Sequence, residues 1–238
     1  MNKNIKAHDT DVIILCGGEG RRLQSVVGDR PKPLAELNNR PFLDILIEHI
    51  SNFGFRRFIL CSGYMKDKIR GYYQSKSSSL AFIFSEEDKP LGTAGAIKNA
   101  QSYIQSDPFL VANADSFCDI NLNEFINFYV ENNAKYLICL AKACDSDSFG
   151  SVKIDAAGRI LEFKEKNKPG SCDFVNAGIY LLAKDILKII PEMRKVSIEH
   201  EIFPGIINDN LMGYRTNQSL LDIGTPENYE KAKLIFRK

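Results

Sequence analysis

The chain has 238 residues, 44% of them hydrophobic and 26% charged, with a formal net charge of +1. That length supports one sizeable core, and the near-neutral balance excludes a global basic field of the kind that holds nucleic acid. No apolar run reaches the ~18 residues of a membrane span. The polar opening "MNKNIKAHDTD" lacks the apolar centre of a secretory signal. The expectation is a cytoplasmic protein with no membrane or nucleic-acid partner.

In chain order, "DVIILC" is a β-branched run stopped by glycine, the pattern of a buried strand. "PFLDILIEHISNFG" spaces its apolar residues as a helix does, with Pro41 in the first turn and Gly54 at the end. The strand "RFILCS", the helix "YMKDKIRGYYQ" and the strand "AFIFS" follow. "TAGAIKNAQSYI" predicts a helix over Thr93–Ile104 with Thr93 as its N-cap. "FLVANAD" is a strand running into Asp115, "LNEFINFYVENN" a helix, and "YLICLAKA" a strand. This alternation predicts an α/β protein, a three-layer αβα sandwich over a mixed, mostly parallel sheet. Then "GSVKID", "RILEFKEK" and "FVNAGIYLLA" come close together, which predicts a small antiparallel insertion packed beside that sheet. A strand near "SLLDIG" and the helix "PENYEKAKLIF" close the chain. One domain is expected over residues 1–238, and the apolar residues around "VSIEHEIFPGIIN" are a candidate surface for a homodimer.

The six cysteines form no C-x-x-C pair and several sit in apolar runs. They read as small buried hydrophobes rather than a disulfide framework or a zinc site. The three histidines are scattered.

Chemistry concentrates in "LCGGEGRRLQSVVGDRPKPLAEL", from Leu15 to Leu37. A glycine-rich turn after a strand lets backbone N–H groups approach phosphate closely. It is not a P-loop, because no G-x-x-x-x-G-K-[ST] string occurs. It is not a dinucleotide fingerprint either, because Leu23 stands where the third glycine belongs, which argues against an NAD-dependent oxidoreductase. Arg21 and Arg22 follow at once, and Lys32 lies between two prolines that stiffen its backbone. A simple strand-to-helix turn explains the glycines alone. The cations favour a grip on an anion.

"LCGGEGRRL…RPKPL" resembles the G-G-x-G-[TS]-R-L…P-K-P signature of sugar-1-phosphate nucleotidylyltransferases. "ILCSGYMKDKIRGYY", "EEDKPLGTAGA", "VANAD", "FKEK", "VNAGIY" and "LLDIGTPENYEKA" resemble further motifs of that family, in the family's order, from about Val12 to Ala232. Arg21, Ala114 and Leu221 depart from the usual residues, and none of the three removes a charge the chemistry needs. The resemblance implies a Rossmann-like, GT-A-like nucleotidyltransferase fold. It implies a nucleotide-binding part over about 10–145, a sugar-binding part over about 146–225 and a C-terminal helix over 226–238. It implies transfer of a nucleotidyl group from a nucleoside triphosphate to a sugar 1-phosphate, with Mg²⁺ as cofactor.

By motif match, Arg22, Lys32 and Asp115 are the catalytic candidates, and Asp115 and Asp222 the metal ligands. Leu15, Gly17, Gly18, Arg22, Glu87, Gly92 and Thr93 would hold the nucleotide. Asn113, Gly150, Glu165, Lys166, Asn176 and Gly178 would hold the sugar phosphate. Apart from the resemblance, plainer roles are open to these residues: Asp115 and Asp222 as helix or turn caps, Glu87 and Lys166 as solvated charge.

Glu87 bears on the base, since that motif position faces the nucleobase. A carboxylate only accepts hydrogen bonds. Guanine offers N1–H and its 2-amino group side by side, so GTP is expected. The chain ends just past "PENYEKA", and its compact form resembles the bacterial D-glycero-D-manno-heptose 1-phosphate guanylyltransferases, which make GDP-heptose for capsules and surface glycans. Mannose 1-phosphate with GTP, and a UTP enzyme for a hexosamine 1-phosphate, are the alternatives. A catalytically inactive nucleotide-sugar sensor is the reading from a different class.

Overall fold

A computed structural model describes residues 5–142, 151–164 and 174–236. The strands are β1 (Asp11–Leu15), β2 (Glu36–Leu37), β3 (Arg40–Pro41), β4 (Arg57–Ser62), β5 (Ala81–Glu86), β6 (Phe109–Asn113), β7 (Ser116–Cys118), β8 (Tyr136–Lys142), β9 (Ser151–Ile154), β10 (Ile160–Lys164), β11 (Phe174–Leu182), β12 (Leu211–Thr216) and β13 (Leu220–Asp222). The helices are α1 (Gln24–Val27), α2 (Phe42–Asn52), α3 (Lys66–Gln74), α4 (Gly92–Asn99), α5 (Leu122–Glu131), α6 (Ile186–Ile189), α7 (Phe203–Gly205) and α8 (Pro226–Ile235).

Nine strands form the main sheet. β1 pairs in parallel with β4 on one side and β6 on the other, and β4 continues to β5. β11 runs antiparallel between β6 and β8, and β12 pairs in parallel with β8. The β9–β10 hairpin joins the N-terminal end of β11. The mixed sheet agrees with the sequence pattern, but the expected insertion lies partly elsewhere. β11 is a central strand of the sheet rather than a neighbour packed beside it. Its run "GIYLLA" is apolar on both faces, which suits the middle of a sheet.

The alternation within β1 divides the core. Val12 and Ile14 face one layer, packed with Leu46, Ile50, Ile69, Phe125 and Tyr129 from α2, α3 and α5. Ile13 faces the other, with Ile97, Ile186, Ile198 and Phe203. A strand covered on both faces has no polar side, so a fully apolar run here is required rather than incidental. α8 closes a third cluster, placing Tyr229 and Ala232 against Leu23, Phe42 and Ile223. Thr225 caps α8 by accepting from the N–H of Asn228, and Pro226 opens its first turn.

Two local expectations are corrected. The helix at 92 begins at Gly92 with Leu91 at the cap and ends at Asn99, followed by a separate 3₁₀ turn, Gln101–Tyr103. Thr93 does not cap it; its hydroxyl is spent on Glu199 and Ile198 instead. The apolar residues of "VSIEHEIFPGIIN" do not form a free surface: Val196, Ile198, Ile202, Phe203 and Ile206 are buried in this chain's own second core cluster. They make a π-helical turn, Ile198–Ile202, and the short α7. Among the described residues no helix is long and apolar enough to cross a membrane.

Candidate active site

A cleft of about 650 Å³ opens at the carboxyl ends of β1 and β6, the end of an open α/β sheet where ligands bind. Leu15, Gly17, Gly18, Arg22, Lys32, Glu87, Gly92, Thr93, Asn113 and Asp115 all line it. These residues come from separate stretches of sequence, and the parallel pairing of β1 with β4 and β6 is what brings their C-terminal loops together.

The loop after β1 leaves its donors unspent. Among the described residues the backbone N–H groups of Gly17, Gly18, Glu19 and Gly20 find no acceptor, an arrangement suited to an anion. Gly20 has φ +60, and a Cβ there would come within 2.8 Å of the Lys32 Cβ. Only glycine lets this loop fold down onto Lys32. Arg22 is exposed and has neither a hydrogen bond nor an ion pair among the described residues.

Lys32 is buried, on a 3₁₀ turn that begins after Pro31 and contains Pro33. Its Nζ donates to Asp115 Oδ2 at 2.7 Å and lies 3.9 Å from Asp222 Oδ1. Asp115 follows β6, and Asp222 ends β13, which pairs with β7 so that Asp222 faces Ser116. The backbone of Ile223 also donates to the Asp115 carbonyl at 2.9 Å. Asp222 is not a cap for α8; its Oδ1 accepts from the N–H of Gly224 at 2.6 Å. Burial pushes the Asp222 carboxyl above its usual pKa, Lys32 pulls it down, and Asp115 pushes it up again. Two carboxylates share one ammonium, and Arg22 adds a weaker positive pull on Asp222. That donor set fits a hard divalent cation such as Mg²⁺, which takes one or two carboxylates together with phosphates and water. Among the described residues no group of three His, Cys, Asp or Glu side chains forms a closed protein cage.

Glu87 sits where two glycines make room. A Cβ on Gly17 would stand 2.8 Å from Glu87 Oε1, and one on Gly63 would stand 2.6 Å from it. Its Oε2 accepts from the N–H of Leu91 at 3.1 Å. Burial raises its pKa above the usual carboxylate value, partly offset by that bond. Glu87 is therefore a half-buried, backbone-held carboxylate at the cleft wall, not solvated surface charge.

Asn176 and Gly178 stand one layer behind the wall. Asn176 Nδ2 donates to the Tyr180 hydroxyl at 2.9 Å, and its Oδ1 accepts from the N–H of Gly178 at 2.9 Å. A Cβ on Gly178 would meet Asn113 Nδ2 at 2.8 Å, so these residues reach the cleft through Asn113. Asn113 Oδ1 is buried and has no partner among the described residues. Gly150, Glu165 and Lys166 lie outside the described residues.

Sequence reasoning passed over Gly63, Lys195 and Glu199. Gly63, in "CSGY", is the space Glu87 occupies, and its pairing with Glu87 is visible only once β4 and β5 lie side by side. Lys195 lines the cleft from a loop whose Val196 exchanges backbone bonds with Leu91 and Ala94. No local pattern in sequence marks it.

A family model described as nucleotidyl transferase matches residues 11–238. The chain belongs to the nucleotidyl transferase family. It is thus an enzyme of nucleotidyl transfer, as the glycine loop and cations suggested. The D-glycero-alpha-D-manno-heptose 1-phosphate guanylyltransferase of Campylobacter jejuni is 34% identical over 219 residues, covering 91% of this chain and 96% of that protein. The crystal structure of HddC from Yersinia pseudotuberculosis complexed with GMP-PN superposes with a TM-score of 0.83 at 34% identity, covering 96% of this chain and all of that one. The mannose-1-phosphate guanylyltransferase of Mycobacterium tuberculosis is 31% identical over 226 residues, covering 93% of this chain but 63% of the longer relative.

Proposed function

We propose that this chain transfers GMP from GTP to D-glycero-α-D-manno-heptose 1-phosphate, giving GDP-heptose and pyrophosphate. The observation that carries the reading is Lys32 held between Asp115 and Asp222 on the floor of a cleft whose rim has four N–H groups and an Arg22 guanidinium with no hydrogen-bond partner among the described residues. Such a site answers an electrostatic problem. A sugar-phosphate oxygen attacks the α-phosphorus of the triphosphate, the bond to the β-phosphate oxygen breaks, and pyrophosphate leaves with that electron pair. The nucleophile is already an anion and needs no general base, so catalysis is positioning and charge neutralisation.

In this reading the N–H groups of Gly17 and Gly18 receive the triphosphate, with Leu15, Gly92 and Thr93 shaping the nucleotide's seat. Arg22 meets the β- and γ-phosphates and stabilises the leaving pyrophosphate. Lys32 neutralises the α-phosphate during attack. Asp115 and Asp222 would hold Mg²⁺, which when bound supplies further positive charge to the phosphates. Glu87 accepts from guanine N1–H and the 2-amino group. On the sugar side, Asn113 contacts the ring with Asn176 and Gly178 behind it, and Gly150, Glu165 and Lys166 complete the grip on hydroxyls and phosphate. A cytoplasmic enzyme is the location that goes with this reading.

The C. jejuni relative supports the heptose, and the Y. pseudotuberculosis structure with GMP-PN supports a guanine nucleotide. Mannose 1-phosphate is the second reading, favoured by the M. tuberculosis relative. The test is pyrophosphate release from each of four nucleoside triphosphates against heptose, mannose, glucose and N-acetylglucosamine 1-phosphates, with Mg²⁺. GTP with the heptose is expected to give the highest kcat/KM. A UTP preference would overturn the guanine assignment, a mannose preference the sugar assignment. Tight nucleotide binding with no release from any pair would mark an inactive sensor.

A further inference from the structure

Two arginines follow the glycine loop, and they are held differently. Among the described residues Arg22 has neither a hydrogen bond nor an ion pair. Arg21 has both: its Nε donates to a carboxylate oxygen of Glu19, two residues back across Gly20. Glu19 and Arg21 line the same cleft as the unspent N–H groups of Gly17, Gly18, Glu19 and Gly20.

This pair does not hold the loop in shape. Its side chains are 40% exposed at Glu19 and 81% exposed at Arg21, and an ion pair so open to water contributes little to stability. The turn is held by other means. Gly20 supplies a φ of +60, the Leu23 N–H donates to the Gly20 carbonyl at 2.9 Å, and the Tyr64 N–H donates to the Gly17 carbonyl at 3.2 Å. Glu19 also runs against the character of the loop. Its backbone N–H is left open for an anion, and its own carboxylate repels one. Arg21 offsets that charge. The sequence carries the same signal, since the signature that this loop resembles has Thr or Ser where the chain has Arg21. The chain therefore adds a cation at this position and keeps a carboxylate within its reach.

We propose that Arg21 is a second guanidinium for the outer phosphates of the triphosphate, and that Glu19 is the carboxylate it leaves when they bind and rejoins when pyrophosphate departs. The exchange favours the phosphates because they carry more charge than one carboxylate and offer a guanidinium more oxygens. It remains reversible because the rejoined pair compensates the guanidinium for the oxygens it gives up. Glu19 thus weakens a grip that three cations would otherwise make hard to release. The role rests on the reading that the triphosphate lies against the glycine loop, and not on which base or sugar enters.

The experiment measures KM in both directions. The forward substrates are the triphosphate and sugar 1-phosphate that the wild type couples best, and the reverse substrates are pyrophosphate and the nucleotide sugar so formed. Arg21→Thr is expected to raise KM about fivefold for the triphosphate and for pyrophosphate, the scale of one solvent-exposed charged contact. KM for the sugar 1-phosphate and the nucleotide sugar should change less than about twofold. Arg21→Lys, which keeps the charge without the planar fork, should recover part of the loss. Glu19→Gln should lower the same two KM values about twofold. The deciding comparison is Arg21→Thr made on top of Glu19→Gln, where both KM values should still rise. An Arg21 that merely offsets Glu19 would have nothing left to offset there, and its removal would change nothing. That result, or equal rises for all four substrates, overturns the proposal. Arg22→Ala separates it from the reading it rests on. If Arg22→Ala raises KM for the triphosphate while Arg21→Thr is silent, the role of Arg21 fails alone. If both are silent, the triphosphate does not lie against this loop and both fail.

Discussion

On the β1 side of the cleft the polar groups are unspent. Four successive N–H groups and the Arg22 guanidinium have no partner among the described residues. On the β11 side nearly everything is engaged: Asn176, Tyr180, Thr93 and Glu199 are bonded to one another, and among the described residues Asn113 Oδ1 has no partner. The difference matches what each side would hold. A triphosphate brings its own dense charge, so the wall that receives it need only keep donors free and aimed. A sugar brings neutral hydroxyls that differ little from those of water. The wall that reads them must fix donor and acceptor directions beforehand, because an unfixed amide accepts either. Lys32 belongs to neither style. It is buried like the sugar wall and cationic like the phosphate wall, with its charge already matched by Asp115 and Asp222.

The sharpest way to break this comparison is at Lys32. Lys32→Ala should lose about 10³-fold in kcat/KM, the scale of losing a preorganised charge at the reacting centre, while circular dichroism still shows a folded chain. Folding survives because Asp115 is half exposed and can be solvated once unpaired. A variant that instead unfolded would make Lys32 a structural ion pair and leave the phosphate wall as the sole source of catalytic charge.

The glycine loop, the cations and both aspartates could be read in sequence because each belongs to a short local pattern: glycines in a turn, a lysine between prolines, an aspartate at the end of an apolar run. The strands and most helices were legible for the same reason, since burial imposes a period on neighbouring residues. What could not be read is whatever depends on pairing across the sheet. Nothing local says that "FVNAGIYLL" threads between β6 and β8, because a run apolar on both faces fits any interior position. Thr93 had the composition of a helix cap, and tertiary bonds to Glu199 and Ile198 took its hydroxyl elsewhere. Glu199 sat in a charged stretch with no motif, and two of the three hydroxyls it accepts from, those of Thr93 and Tyr180, come from other segments of the chain.

Gly63 and Glu87 sharpen the phosphate side. Glu87→Gln should cut the preference for GTP over UTP by about 10- to 100-fold, because an amide puts one donor against a guanine donor. Gly63→Ala should do nearly as much without touching the carboxylate. Its Cβ would stand 2.6 Å from Oε1 and 2.8 Å from Cγ, so Glu87 must swing out of place. Competition assays with both triphosphates check both variants. If Gly63→Ala left the preference intact, the position of Glu87 would not matter to the base, and the free donors of the loop would carry nucleotide binding alone.

The smallest effect is in stability, and its sign separates a functional carboxylate from a structural one. Burial raises the Glu87 pKa in the folded chain above its unfolded value. A carboxyl raised in this way is held more easily when protonated, so its contribution to stability is greatest at low pH and is lost as pH rises through the raised value. At neutral pH Glu87 is thus charged at a cost to the fold. Glu87→Gln should melt on the order of 1–2 °C higher than wild type at pH 7. The gap should close as pH falls toward 4, where Glu87 takes up its proton and the two chains become alike at this position. Differential scanning calorimetry of the ligand-free chains across that range measures it. A glutamate kept for stability would show the opposite sign, with the glutamine variant melting lower at pH 7. The combination expected here, a variant that is more stable yet less selective for its base, is what a site produces when it holds an unfavourable charge for a ligand to meet.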